Sequence, residues 1–342
     1  MRAAVGTASR ALNALVAEPL EAAELSCEVA SRLRPVVPFD GWCLSGMDPG
    51  TRLRVLQVGG RGTERTAEMA RNEDLMDDVN KFSELAAATV PIGVLSPEHP
   101  MARTSFRLNE VLLPQGFASE LRLVLREGDR IWGVLSLFRE DPRRCFGEDD
   151  VTALRVLAEP LTATVRAFPV RGLPPRGRVP GAGVILVAPD DRFVDVSEEA
   201  LAWLQLLVPG GDDETWITDV TRVVYEVAHA ARAGDLARVA TCVRTVTGRW
   251  LRVEASTFDG GDADVAVVLH AATPDQLIGP ISARHGLTRR ERQSLELTLH
   301  GRSTRQAARE LGISTQTVSR HLSSAYRKCR VSGRDEMFGR LF

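Results

Sequence analysis

Apolar and polar positions divide the chain into three patterned blocks. In the first, residues 11–33 repeat at helical spacing, while 42–47 and 53–58 read as strands. Residues 120–125 alternate, Glu127-Gly128-Asp129 turns the chain, and 131–138 returns as an apolar strand, which is the pattern of a hairpin. From 149 to 168 a helical stripe reappears through Val151, Leu154, Leu157, Leu161 and Val165. Helices flanking an antiparallel sheet predict an α+β layer.

Residues 171–181 (RGLPPRGRVPG) are dense in Pro and Gly. Pro removes an amide donor and Gly costs backbone entropy, so this stretch reads as a linker. The second block opens with an apolar strand at 183–187, a Pro-Asp-Asp turn and a second strand. Helical patterns follow at 198–207 and 219–233, then three strand-like runs at 239–246, 250–255 and 263–269. A softer break is expected near Pro274 and Pro280.

The third block, 287–341, predicts four short amphipathic helices with readable caps. Thr288 with Glu291 and Ser303 with Gln306 have capping-box spacing, Ser314 can cap a third helix, and Ser332 with Asp335 a fourth. Leu311-Gly312-Ile313-Ser314 supplies a glycine where one helix must end through a left-handed residue. Two helices joined by such a tight turn form a helix-turn-helix pattern. On the third helix Val318, Leu322, Ala325 and Cys329 make an inward stripe. Gln316, Ser319, Arg320, Ser323 and Arg327 make a polar, basic one, suited to a DNA major groove.

Charge strengthens that reading. The 342 residues carry 43 basic and 45 acidic side chains, and only Lys81 and Lys328 are lysines. From residue 281 onward 13 basic residues face five acidic ones, a balance of +8, which leaves −10 on the rest. Such asymmetry suits a polyanionic partner. The shortage of lysine excludes a Gly-Lys-Ser/Thr phosphate loop and disfavours Schiff-base chemistry. Five scattered cysteines without a Cys-x-x-Cys pair point to a reduced compartment and no structural zinc. No run of about 18 apolar residues occurs, so no membrane span is expected and the location is read as cytoplasmic.

Three resemblances follow from these residues. The stretch from Ser119 (SELRLVL), Ile131 (IWGVLSLFR), Cys145 (CFGEDD) and the long helix after it resembles the end of a GAF domain. That resemblance implies a sensing or dimerising domain with a pocket between sheet and middle helices, for which Trp42, Cys43, Phe82, Phe106 and Phe117 are the lining candidates. Strand, strand, helices and three strands is the order of a PAS domain, and the second block resembles a degenerate one lacking the flavin-type Cys motif. The last 55 or so residues resemble the LuxR-type helix-turn-helix through Leu287 (LTRRER), Gly301, Ala308, Leu311 (LGIS), Thr317-Val318, His321-Leu322 and Lys328. Two positions depart from that family. Ala307 stands where Ile is usual, and Arg330 stands where Gly is common, so Arg330 either adopts a left-handed conformation at a cost of roughly 1 kcal/mol or the turn differs.

The expected fold class is therefore multidomain. It comprises an α+β GAF-like sensor over 11–168, a linker at 169–181, an α+β PAS-like domain over 182–272 and an all-α, four-helix LuxR-type unit over 282–342. The expected function is a one-component, sequence-specific DNA-binding regulator whose sensory and dimerisation domains control the helix-turn-helix. The alternative is a small-molecule-binding signalling protein acting through protein or RNA partners. Ser319, Arg320, Ser323 and Gln316 are the base-reading candidates; Thr317, His321, Arg305, Arg309, Arg327 and Lys328 the phosphate candidates. Expected partners are double-stranded DNA, a second copy joined through the sensor domains and the last helix, RNA polymerase and an unidentified small effector. No membrane partner, metal or cofactor is expected. Isolated histidines and no paired nucleophile and base leave no catalytic residue to name.

Overall fold

The computed structural model describes residues 2–18, 20, 22–62, 64–168, 178–207, 222–245, 247–258 and 264–341. Most of the 169–181 linker and the start of the 219–233 helical pattern lie outside them.

The chain opens with helices α1 (Arg2–Leu15) and α2 (Ala22–Leu33), so the single helical stretch read at 11–33 is two helices. The first sheet contains β1 (Gly41–Met47), β2 (Arg54–Gly59), β3 (Ile92–Leu95), β4 (Ser119–Glu127) and β5 (Arg130–Arg139). Between β2 and β3 lie α3 (Thr66–Leu75) and α4 (Phe82–Ala87). A wide turn at Arg107–Leu112 precedes β4, and α5 (Glu148–Ala167) closes the unit. The sheet is antiparallel with order β2-β1-β5-β4-β3.

Strand alternation gives that sheet two different faces. Leu44, Leu121, Leu123, Leu125, Leu135 and Leu137 pack with α1, α2 and α5 into the largest apolar core. The opposite face carries Cys43, Ser45, Glu120, Arg122 and Ser136 beneath α3 and α4. Glu120 and Arg122 are 0% and 1% exposed, so the polar side of the alternating hairpin is buried.

The second sheet consists of β6 (Gly183–Val187), β7 (Phe193–Val196), β8 (Ala240–Arg244), β9 (Trp250–Thr257) and β10 (Val265–Ala271). Its order, β7-β6-β10-β9-β8, repeats that of the first sheet. Helices α6 (Glu198–Leu207) and α7 (Arg222–Arg232) cover one face, burying Trp203, Val224 and Val227 against Val187, Val253 and Val267. Leu53, from the first unit, completes this second core.

Helix α8 (Pro274–His285) runs through the break expected near Pro274 and Pro280. Pro274 occupies the first turn, where its missing amide costs nothing. Pro280 cannot donate to the Gln276 carbonyl one turn back; the Cys242 thiol lies 3.8 Å from that oxygen instead. Four more helices follow: α9 (Arg289–Leu299), α10 (Thr304–Leu311), α11 (Thr315–Cys329) and α12 (Arg334–Leu341). Among the described residues no helix is long and apolar enough to cross a membrane.

Candidate nucleic-acid interface

The helix-turn-helix is built from local signals. Thr288 N donates to Glu291 Oε2 at 2.7 Å, and Glu291 N to Thr288 Oγ1 at 3.3 Å. Ser303 and Gln306 repeat the exchange at 2.9 and 3.3 Å, and Thr317 N donates to Ser314 Oγ at 3.1 Å. Each cap satisfies an amide that the helix start leaves open. Gly312 ends α10 with φ 65°, a left-handed conformation that glycine adopts without strain. On α12 the cap lies one residue later than its spacing predicts: Ser332 N and Oγ both donate to Glu336 Oε2 at 2.6 Å.

Ala307, Ala308, Val318 and Leu322 form the buried seam between α10 and α11, with Leu311 and Ile313 packed against it. Ala307 is fully buried, so the smaller residue brings the helices together without a longer side chain. A second seam joins Leu295, Cys329, Val331 and Met337 to Leu277 and Ile281 of α8 and to Cys242 and Trp250 of the second sheet. The helix-turn-helix unit therefore stands on β8 and β9.

Arg330 ends α11 with φ 57° and ψ 41°. Of the two alternatives raised by its departure from Gly, the left-handed one is adopted. Lys328 is turned inward, with Nζ 2.6 Å from Glu291 Oε2 and 3.0 Å from the Gly286 carbonyl. Burial pushes the Glu291 carboxyl up, but the hydrogen bonds from Lys328 and the Thr288 backbone outweigh it and hold it at about 2.

These contacts leave one side of α11 open. Gln316, Ser319, Arg320, Ser323 and Arg327 are exposed, whereas Val318, Leu322, Ala325 and Cys329 are buried. From 316 to 323 the helix advances about 10 Å, within the roughly 12 Å width of a B-DNA major groove. Thr317 and His321 flank this face half-buried, Thr317 Oγ1 lying 2.8 Å from Ser314 Oγ. Arg305 and Arg309 lie exposed one turn apart on α10, and Arg327 reaches Ser324 at 3.3 Å.

Residues 285–338 match the model of the LuxR family of bacterial regulatory proteins. The spore germination protein GerE of Bacillus subtilis (strain 168) is 44% identical over 50 residues, which are 15% of this chain and 68% of GerE. The chain belongs to the LuxR family. Its C-terminal unit is a LuxR-type DNA-binding domain. Over longer spans the chain aligns with Escherichia coli SdiA (TM-score 0.34, 15% identity, 93% of this chain and 91% of SdiA). It also aligns with the bacteriophytochrome RpBphP3 of R. palustris (TM-score 0.32, 11% identity, 80% of this chain and 62% of that one). At those scores neither alignment establishes a common fold.

The five lining candidates of the first unit do not gather at one place. Cys43 and Phe82 line a cavity beneath α3 and α4. Phe117 packs on Phe138 in a neighbouring apolar cluster, with ring centroids 5.2 Å apart. Trp42 belongs to the core on the other side of the sheet, and Phe106 sits half-buried before the wide turn.

Charged groups that no sequence pattern singled out surround the cavity. Glu120 accepts from Arg107 at 2.7 Å and from Arg122 at 2.8 Å, and Arg122 also reaches Glu73 at 2.8 Å. Arg54 pairs with Glu226 of the second unit through its side chain, and its backbone amide donates to the same carboxylate at 2.9 Å. His229 bridges Asp74 at 3.0 Å and Asp191 at 2.9 Å. Burial raises the Asp74 carboxyl, yet Arg222 and His229 bring it down to about 2. Charged residues between apolar neighbours in β4 were the available signal, but apart from their own pairing their partners Arg107 and Glu73 come from other segments.

Proposed function

We propose that this chain is a one-component, sequence-specific transcriptional regulator, in which a GAF-like and a PAS-like domain control a LuxR-type DNA-binding unit. The observation that carries the reading is the open, groove-sized side of α11. Arg320 presents a guanidinium fork for guanine O6 and N7, while Ser319, Ser323 and Gln316 meet neighbouring base edges. Arg305, Arg309, Arg327, Thr317 and His321 contact phosphate and set the register. Lys328 stays with Glu291 and holds α9 to α11.

The five-stranded antiparallel sheets, each with helices inserted after its second strand, support the GAF-like and PAS-like readings. The regulator acts as a cytoplasmic dimer through these domains and α12, with RNA polymerase as its further partner. Its basic phosphate contacts make binding salt-dependent. Log affinity for a duplex falls with log salt by about 0.9 per phosphate neutralised, and Arg309→Ala lowers that slope by about one. Gel-shift titration across salt concentrations measures it; a flat dependence contradicts the reading.

A further inference from the structure

The cavity beneath α3 is lined by three guanidinium groups, one of them incompletely hydrogen-bonded. Its floor carries Cys43, Ser45 and Ser136, small polar residues that leave space above the sheet. Arg54 rises from β2 and Arg122 from β4, on either side of that floor, and Arg222 enters from α7, so the second unit closes the pocket of the first. Among the described lining residues Glu73 is the sole carboxylate, while Glu226, Asp74 and Glu120 reach the same guanidinium groups from outside the cavity.

Arg222 is 4% exposed, and its Nη2 has no hydrogen-bond partner among the described residues. The nearest carboxylates are already engaged. Glu226 Oε1, 3.2 Å from Arg222 Nε, also takes the Arg54 side chain. Asp74 Oδ2 lies 3.5 Å from Nη2 and is hydrogen-bonded to His229 at 3.0 Å. A buried, unmatched donor on a charged group is costly, and a guest that accepts from it recovers that cost. Burial and the neighbouring Arg54 bring the Arg222 guanidinium down to about 9, against the opposing pull of Asp74 and Glu73. Burial also raises the Cys43 thiol, keeping it neutral.

The cavity measures about 50 Å3. That is room for a few water molecules, or for one compact group of comparable size. We propose that it binds a compact oxyanion, a carboxylate or a phosphate, held by Arg222 of the second unit above the Cys43, Ser45 and Ser136 floor of the first. This rests on the sensor reading above and gives it a chemistry: the guest bridges two units, so binding tightens their contact.

Isothermal titration of the full chain with malonate, inorganic phosphate and neutral malonamide tests the assignment. Binding of either oxyanion at one site per chain, with none of malonamide, is expected, and whichever oxyanion binds identifies the class. Arg222→Gln weakens that binding by roughly tenfold or more, and Arg222→Lys, which keeps the charge and loses the fork, falls between. Unchanged affinity in Arg222→Gln, or equal binding of malonamide, overturns the proposal. Should the Gln variant fail to fold by circular dichroism, unchanged affinity in the Lys variant overturns it instead. If neither oxyanion binds at about 10 mM, a Kd beyond the useful range, the oxyanion assignment falls. Native mass spectrometry of chain purified from its host then separates two outcomes: a neutral guest leaves the sensor reading standing, and an empty chain removes both.

Discussion

The two sheets share one strand order and use it differently. The first is covered on both faces, by α1, α2 and α5 on its apolar side and by α3 and α4 over buried charge. The second is covered by α6 and α7 on one face, while Trp250 and Cys242 on the other support the DNA-binding unit. Val184 of β6 and Val194 of the edge strand β7 remain 39% and 47% exposed. Topology therefore does not assign the task; the side chains on the second face do. In the first sheet they enclose a charged cavity, and in the second they carry the load of α8, α9 and α11.

The largest expected effect separates the two faces directly. Glu120→Ala strips Arg107 and Arg122 of their shared buried counter-charge and costs about 3–5 kcal/mol. The corresponding ion pairs on β9, where Glu254 meets Arg252 at 3.3 Å and His270 at 3.4 Å, are part-exposed. Glu254→Ala should cost less than about 1 kcal/mol. Urea unfolding of both variants measures the contrast, and equal losses would erase it.

Next in size is the footing of the DNA-binding unit. Trp250 is 5% exposed, and Trp250→Ala should cost about 3 kcal/mol. Hydrogen exchange should accelerate in α8, α9 and α11 while amides of the first sheet keep their protection. Uniform acceleration throughout the chain would mean that the second sheet is not a separate support.

A smaller effect concerns the contact between the units. Burial alone would lower the His229 imidazole, but hydrogen bonds and charge from Asp191 and Asp74 raise it overall. Arg222 and Arg232 also reach these carboxylates, so the imidazolium is one cation among several. Because the folded value is raised, His229 stabilises fully below its unfolded value of about 6.5, and the contribution is lost as pH rises through the folded value. The stability gap between wild type and His229→Gln should therefore narrow from pH 6 to pH 9, approximate limits chosen around that titration. A gap that stays constant would show that the proton does not matter there.

Legibility in the sequence followed the range of the interactions. The caps at Thr288, Ser303 and Ser314 and the turn at Gly312 connect residues three or four apart, so residue type and spacing reveal them. The last cap slipped because Asp335 and Glu336 are adjacent acids and either could have answered Ser332. Helix α3 went unread since it buries Thr66, Ala70 and Asn72, which make no apolar stripe. β3 is four residues long and adds too few alternations to stand out. Glu120 and Arg122 looked like the outer side of a hairpin; only the arrival of Glu73 and Arg107 from distant segments turns that side inward. Arg222 belongs to the same class, its partners Asp74 and Glu226 being contributed by both units.

Selection of bound duplexes from a random pool, run in parallel with wild type and Arg320→Ala, tests the central claim most directly. Wild type should enrich a defined motif containing guanine, and the variant should lose discrimination at that base by about 1–3 kcal/mol while keeping its nonspecific, salt-dependent affinity. An identical motif recovered with both proteins, or none with wild type, would contradict the assignment of α11 as the reading helix.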